Sequence, residues 1–432
     1  MNIADPNDVI RTQPMSRAQI RAVAVGATIS AVDGYDILSI SLAAPGLANA
    51  WGIDRSTLGV VLAMEVIGAA VGAILLGRMA DLAGRRMMLL GGQAVMMIGM
   101  ALSAIAPDVT VLACCRFFTG IGIGSMVPAL ASMVTEVANE RRRDLAVSLL
   151  GFGYSIGAIL SGALAAYLLL YLPWPSVFVL GSLLTAAAFM LTFLWVPETI
   201  VFLSRKRPPG ALARINAIRS RFGHAPVASL PAFQENARAS RLADLFAPNL
   251  VRNTLFVTTA YFFMMATSVS VVKWIPKIAA DMGNSAAAGA SVLVFVNVGG
   301  LVGTLAVVPL AKRYGLNRVC ISAMFLSAAV IALLGQSFGS LTSLMLAGAA
   351  TGTINATAGS GLYILMARAY PSHLRATGIG FTVAFGRAGP ALGPMLAGIL
   401  LGAGLAVPMV MLVIGLGAVI AALLVSLTRA DN

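Results

Sequence analysis

Residues 145–197 run for 53 positions without one charged side chain. A membrane-crossing helix needs only about 20 apolar residues. The run is therefore too long for one span and too apolar for the surface of a soluble fold. It divides at Pro173-Trp174-Pro175, because proline breaks the helical hydrogen-bond ladder. The run 87–107 is a single clean span, while 319–367 divides near 335–339 and 388–428 near 402–404. The whole chain reads as twelve helices, at 21–45, 57–77, 87–106, 109–135, 145–171, 176–196, 253–275, 287–311, 319–337, 341–367, 376–401 and 405–427. Composition agrees: 59% of residues are apolar and 10% charged, against about 25% charged in soluble domains. A cytosolic enzyme, a disordered scaffold and an ordinary secreted domain are excluded, and the fold class is an all-α membrane protein.

The net charge of +13 would suggest nucleic acid in a soluble protein. Here its distribution matters more. With the N-terminus inside, 24 of the 29 Lys and Arg residues fall in inner segments, and Arg55 and Lys277 alone in outer loops. The positive-inside rule then predicts both termini in the cytoplasm, and no nucleic-acid partner is expected. The polar arm before the first span lacks an Ala-x-Ala site, so that span is expected to stay in the membrane. Cys114, Cys115 and Cys320 lie in apolar stretches and read as buried thiols. No nucleophile–base set, metal-ligand spacing or phosphate loop is present, so neither an enzyme nor a cofactor is expected.

The longest polar stretch, 198–252, separates the helices into six and six. The predicted organisation is an inner arm (1–20), a six-helix bundle (21–197), a cytoplasmic linker (198–252), a second bundle (253–428) and a short tail (429–432). Residues 211–222 of the linker could form an amphipathic helix on the inner membrane face. The halves resemble each other at an offset of about 232 residues: Arg143 matches Arg375, Gly120 matches Gly352, and Gly157 matches Gly389. A pseudo-symmetric 6+6 repeat with a midplane site is a transporter architecture. Rows of small residues, Gly68/Gly72 and Gly386/Gly389/Gly393, are expected to let the two halves slide on each other.

The loop after the second helix, Gly77-Arg-Met-Ala-Asp81-Leu-Ala-Gly84-Arg85-Arg86, resembles the signature of the major facilitator superfamily. Arg116-Phe-Phe-Thr-Gly120-Ile-Gly122-Ile-Gly124 and Tyr370-Pro371 through Arg375-Ala-Thr-Gly378 resemble two further patterns of that family. Within it, Asp33-Gly34-Tyr35-Asp36 resembles the DG-x-D motif of the aromatic acid:proton symporters. That family also carries charge where Arg116, Glu136, Arg375 and Arg387 stand. It has a histidine near the loop before the ninth helix, where this chain reads Gly315-Leu-Asn-Arg-Val-Cys320, so a proton step through that histidine does not transfer. The resemblance implies a symporter of a hydroxybenzoate-, protocatechuate- or vanillate-like acid in a bacterial inner membrane, working by alternating access, and a monomer is expected. A superfamily exporter or drug:proton antiporter, and a non-transporting sensor, stay open as alternatives.

Ionisable groups inside spans cost at least ~2.5–3.5 kcal/mol each, which makes function or pairing the default. At about 1.5 Å per residue, Asp36, Glu65 and Arg116 share one depth, which predicts a carboxylate–guanidinium cluster. With Asp33, three acids face one arginine, and the surplus predicts a proton site among Asp33, Asp36 and Glu65. Arg387 lies near midplane with no acid in its own half, and is expected to bind the substrate carboxylate. Arg116, Tyr35, Lys273, Trp274 and Asn355 are further ligand candidates, although a lysine near a helix end, as Lys273 is, usually snorkels. Asp81, Arg85, Arg86, Glu136, Arg143 and Arg375 are expected to latch the cytoplasmic side.

Overall fold

The computed structural model describes residues 8–77, 79–230, 242–248, 250–336, 340–371 and 374–428, without the side chains of Ala80, Asp81 and Ala376. The tail at 429–432 and the predicted break at 337–339 lie outside the described residues. Twelve long helices account for the fold. The first six are α1 (Arg17–Trp51), α2 (Arg55–Leu76), α3 (Arg85–Ala104), α4 (Val109–Val137), α5 (Arg143–Tyr171) and α6 (Pro175–Trp195). The second six are α7 (Val251–Asp281), α8 (Ala286–Tyr314), α9 (Leu316–Leu334), α10 (Leu341–Ala369), α11 (Arg375–Gly386 with Ala388–Gly402) and α12 (Val407–Ser426). Among the described residues, eleven of these are apolar enough to cross a membrane on composition alone, and α10 is not.

Local chemistry sets the helix ends. Ser16 and Gln19 form a reciprocal capping box at the start of α1. Asp54 caps α2 by accepting from Ser56 N at 3.0 Å, and Asp108 caps α4 by accepting from Thr110 N at 2.8 Å. Polar caps at the membrane surface leave the span interiors free for apolar residues. The linker contributes two helices, Ile200–Lys206 and Ala211–Arg221. Ile215 and Ile218 of the second are buried in the cluster at the inner end of the first bundle.

The six-and-six repeat is visible in the packing. α2 packs on α4 as α8 packs on α10, α1 on α5 as α7 on α11, and α3 on α6 as α9 on α12. Glycine makes these seams. A methyl on Gly68 or Gly72 of α2 would collide with the Phe117 or Ile121 carbonyl oxygen of α4. The equivalent pair in α8, Gly299 and Gly303, meets the Ala349 and Thr353 carbonyls of α10 in the same way. Gly389 and Gly393 of α11 likewise lie against the backbone of α7. These small-residue rows therefore join helices within a bundle, correcting the expectation that they form the sliding surface between bundles. Close backbone approach replaces the hydrophobic driving force that lipid does not supply.

The surface between bundles is made elsewhere. A methyl on Gly59 of α2 would come within 2.9 Å of Gly398 Cα in α11, and one on Gly162 of α5 within 3.1 Å of the Ala290 oxygen in α8. Arg55 of α2 pairs with Asp281 of α7 at 3.1 Å. All of these residues lie in the halves of their helices remote from the linker, so the bundles are closed against each other at that end.

The seams give a direct test. Gly352→Leu would drive a branched side chain into the Val296 carbonyl, an overpacking expected to cost about 3 kcal/mol or more. Gly91 has open space around it, and Gly91→Ala should be neutral or stabilising by up to about 1 kcal/mol. Thermal unfolding of the purified protein in detergent separates the two outcomes.

Candidate functional site

Four ionisable side chains from three N-terminal helices and one C-terminal helix meet in the buried interior. Arg116 of α4 is wholly buried, with Nη2 2.9 Å from Asp36 Oδ1 of α1 and 2.8 Å from Glu65 Oε2 of α2. Its guanidinium stands over the Phe178 ring at 5.3 Å. The cluster expected from depth is thus assembled, with one addition. Lys273 of α7 reaches across from the second bundle, its Nζ 3.5 Å from Glu65 Oε2 and bonded to the Ile37 carbonyl. It is 1% exposed and does not snorkel. Two acids and two bases make this quartet neutral, so the predicted surplus of negative charge inside the cluster is corrected.

The remaining acid and arginine stand apart from the quartet. Asp33, one turn before Asp36, is half-buried, and its Oδ1 is buried without a hydrogen-bond partner. Arg387 is half-buried between the two segments of α11 and donates to the Ala69 carbonyl of α2 at 3.2 Å. The break has a local cause: Pro390 has no N–H to offer Gly386 four residues earlier. Gly386 also lets the Tyr261 ring pack against the α11 backbone. Among the described residues, neither Asp33 nor Arg387 makes an ion pair. Asp33 is nevertheless within electrostatic reach of Arg387, as are Tyr261 and Tyr363.

Those two tyrosines line a cavity of about 600 Å³ between α7, α8 and α10. Their rings sit edge to face at 6.0 Å. Asn355 lines the same cavity, its Oδ1 accepting from Ser327 at 2.5 Å. Tyr35 and Trp274 do not line it. Tyr35 is buried and donates to the Val177 carbonyl at 2.7 Å. Trp274 is fully buried and donates to the Pro394 carbonyl at 2.9 Å. Both are buried away from the cavity with their polar tips occupied inside the protein, which corrects the expectation that they bind the ligand.

At the inner end, Arg85 pairs with Glu136 at 3.1 Å. Arg86 takes another course, bonding the Phe193 carbonyl at 2.8 Å and covering the Phe193 ring. Sequence reasoning missed Glu198, which accepts from the backbone N–H of Arg85 and Arg86 at 3.0 and 3.3 Å and so caps α3. Burial pushes its carboxyl above the ordinary range, against the pull of those N–H groups. A lone acid immediately after the charge-free run 145–197 was the available signal. Arg143 and Arg375 make no ion pair among the described residues; Arg375 is exposed. The side chain of Asp81 lies outside the described residues.

Two six-helix bundles closed at one end, with charged groups and a cavity at mid-depth, define a membrane transporter rather than an enzyme. The chain belongs to the Major Facilitator Superfamily, whose sequence pattern matches residues 25–308 and 254–432. It is 30% identical to the gallate transporter of Pseudomonas putida, over 97% of this chain and 94% of that one. It is 31% identical to the 4-hydroxybenzoate transporter PcaK of the same organism, over 93% and 90% of the two chains. To the 3-(3-hydroxy-phenyl)propionate transporter of Escherichia coli it is 30% identical, over 87% and 85%. Its fold is similar to that of the xylose transporter XylE from E. coli, with a TM-score of 0.74, 18% identity and coverage of 96% and 98%.

Proposed function

We propose that the protein is a proton-coupled importer of small aromatic carboxylates in a bacterial inner membrane, with both termini cytoplasmic. The observation that carries this is Arg387, a half-buried guanidinium at a helix break with no acidic partner among the described residues. A desolvated arginine with free donors recruits a carboxylate. Its reach extends to Asp33 on one side and to the tyrosine-walled cavity on the other. The names of the relatives, all transporters of aromatic acids, support the substrate class.

Asp33 leads as the proton site because it makes no ion pair among the described residues, whereas Asp36 and Glu65 are paired with Arg116, and Glu65 also with Lys273. A proton on Asp33 removes its attraction for Arg387 and frees the guanidinium for the incoming anion. When substrate and proton leave on the inner side, Arg387 and Asp33 attract each other again. Binding of each thereby depends on the other, as coupling requires. The outer closure at Gly59, Gly162 and Arg55 sets the resting geometry for release inward.

Uptake of labelled aromatic acids into proteoliposomes, with and without an inward proton gradient, tests the reading. Accumulation is expected only with the gradient and is expected to collapse with a protonophore. With one proton per monoanion the cycle is electroneutral and insensitive to voltage alone; each extra proton adds about 2.3 kcal/mol of drive per 100 mV. Equal flux with and without the gradient would overturn symport.

A further inference from the structure

The cavity between α7, α8 and α10 carries polar groups but no formal charge among its lining residues. Three of them, Ser268, Asn297 and Asn355, project from three different helices. Counted from the outer helix ends, they and Arg387 lie about 11–15 residues down, or roughly 17–22 Å. They therefore form one polar tier near the membrane midplane, at the level of the arginine.

The hydrogen bonds already made decide what each group has left to offer. Asn297 donates through Nδ2 to the Leu293 carbonyl at 2.8 Å. A carbonyl can only accept, so the amide orientation is fixed and Oδ1 remains as an acceptor. Ser268 Oγ is buried and has no hydrogen-bond partner. Asn355 has committed its Oδ1 to Ser327, and its Nδ2 remains as a donor. An acceptor, a hydroxyl and a donor thus surround apolar space walled by Val271, Val296 and the Tyr261–Tyr363 pair.

We propose that Asn297, seconded by Ser268, is the specificity determinant that selects ring-hydroxylated aromatic acids over unsubstituted ones. The inference rests on the transport reading above and extends it to the other edge of the substrate. A phenolic O–H donates to Asn297 Oδ1 while its oxygen accepts from Asn355 or Ser268. An unsubstituted ring offers no such group and leaves the desolvated acceptor of Asn297 unpaired, which is the stronger half of the discrimination. Asn297 does not touch the carboxylate end, so its effect is confined to the ring edge that carries or lacks the hydroxyl.

The test compares 4-hydroxybenzoate with benzoate in proteoliposomes bearing a proton gradient, for the full chain and for Asn297→Leu and Ser268→Ala. The wild type is expected to have an apparent KM at least about tenfold lower for 4-hydroxybenzoate than for benzoate. Asn297→Leu removes the acceptor that benzoate leaves unpaired, and is expected to raise the KM for 4-hydroxybenzoate and to lower that for benzoate, so that the roughly tenfold ratio collapses toward one. Ser268→Ala, a smaller change that preserves packing, should move the ratio in the same direction. Equal weakening of both acids, or an unchanged ratio in both variants, would overturn the assignment and leave the transport reading standing. Failure of the wild type to accumulate either acid would instead remove the transport reading, and the assignment with it.

Discussion

Arg387→Gln is expected to abolish concentrative uptake while leaving the protein folded. Glutamine keeps a donor for the Ala69 carbonyl, so the contact with α2 survives in neutral form. What is lost is the charge that holds the anion. Hydrogen bonds to charged groups contribute about 1.5–3 kcal/mol, and a bidentate guanidinium supplies two in fixed geometry. Apparent affinity should fall about 100-fold or more on that basis, with the residual flux unresponsive to a proton gradient. Arg387→Lys restores the charge without the planar fork and should recover only part of the affinity. Counterflow of labelled substrate and thermal unfolding of the same preparation separate binding from stability. Uptake by Arg387→Gln at the wild-type level would exclude Arg387 as the carboxylate site.

The second large effect concerns the quartet. Lys273→Met leaves Glu65, Asp36 and Arg116 with a net negative charge in a fully buried place. Glu65→Gln leaves Lys273 without its carboxylate. Breaking a buried pair by removing one partner costs about 3–5 kcal/mol. Each single change is therefore expected to lower the unfolding temperature sharply. The double variant, Glu65→Gln with Lys273→Met, leaves the neutral Asp36–Arg116 pair and should be more stable than either single one. That recovery, measured as a coupling energy in a double-mutant cycle, is the signature of a direct interaction. Strict additivity of the two losses would show that the residues do not act on each other. The pair also joins α2 to α7 across the two bundles, so single variants should populate outward-open states more often. Labelling of a cysteine in place of Ser56, whose hydroxyl faces the Gly398 carbonyl of α11, reports this.

Much of this arrangement was legible in the sequence. Charge-free runs and turn signals locate twelve helices, and a depth count brings Asp36, Glu65 and Arg116 to one level. Lys273 escaped for a specific reason. Pro276 reads as the end of the seventh helix, which puts Lys273 near the surface, but α7 continues through Pro276 to Asp281. Eight further residues, about 12 Å of rise, bury the lysine. Partners across helices escaped for a different reason. Spacing along one helix fixes depth, whereas the rotation of each helix about its axis decides which neighbour a side chain meets. The glycine rows show the same limit, since Gly68 and Gly389 declare a close approach but not the helix approached. Tyr35 and Trp274 drew attention by residue type, and only their hydrogen bonds to Val177 and Pro394 reveal that their polar ends are already taken.

The composition of α10 has a consequence for biogenesis. Its Thr, Ser, Asn and Gly residues make it the least apolar of the twelve long helices among the described residues. Its polar groups are satisfied by neighbours made just before it: Asn355 by Ser327 of α9, and Thr357 by the Gly303 carbonyl of α8. α10 is therefore expected to enter the membrane against α8 and α9, which are made before it. A chain stopped after α9 is expected to hold its nine apolar spans, whereas α10 without α8 and α9 would turn its polar groups toward lipid. The polar residues of α10, Asn355 of the cavity among them, thus tie its place in the second bundle to the helices made before it.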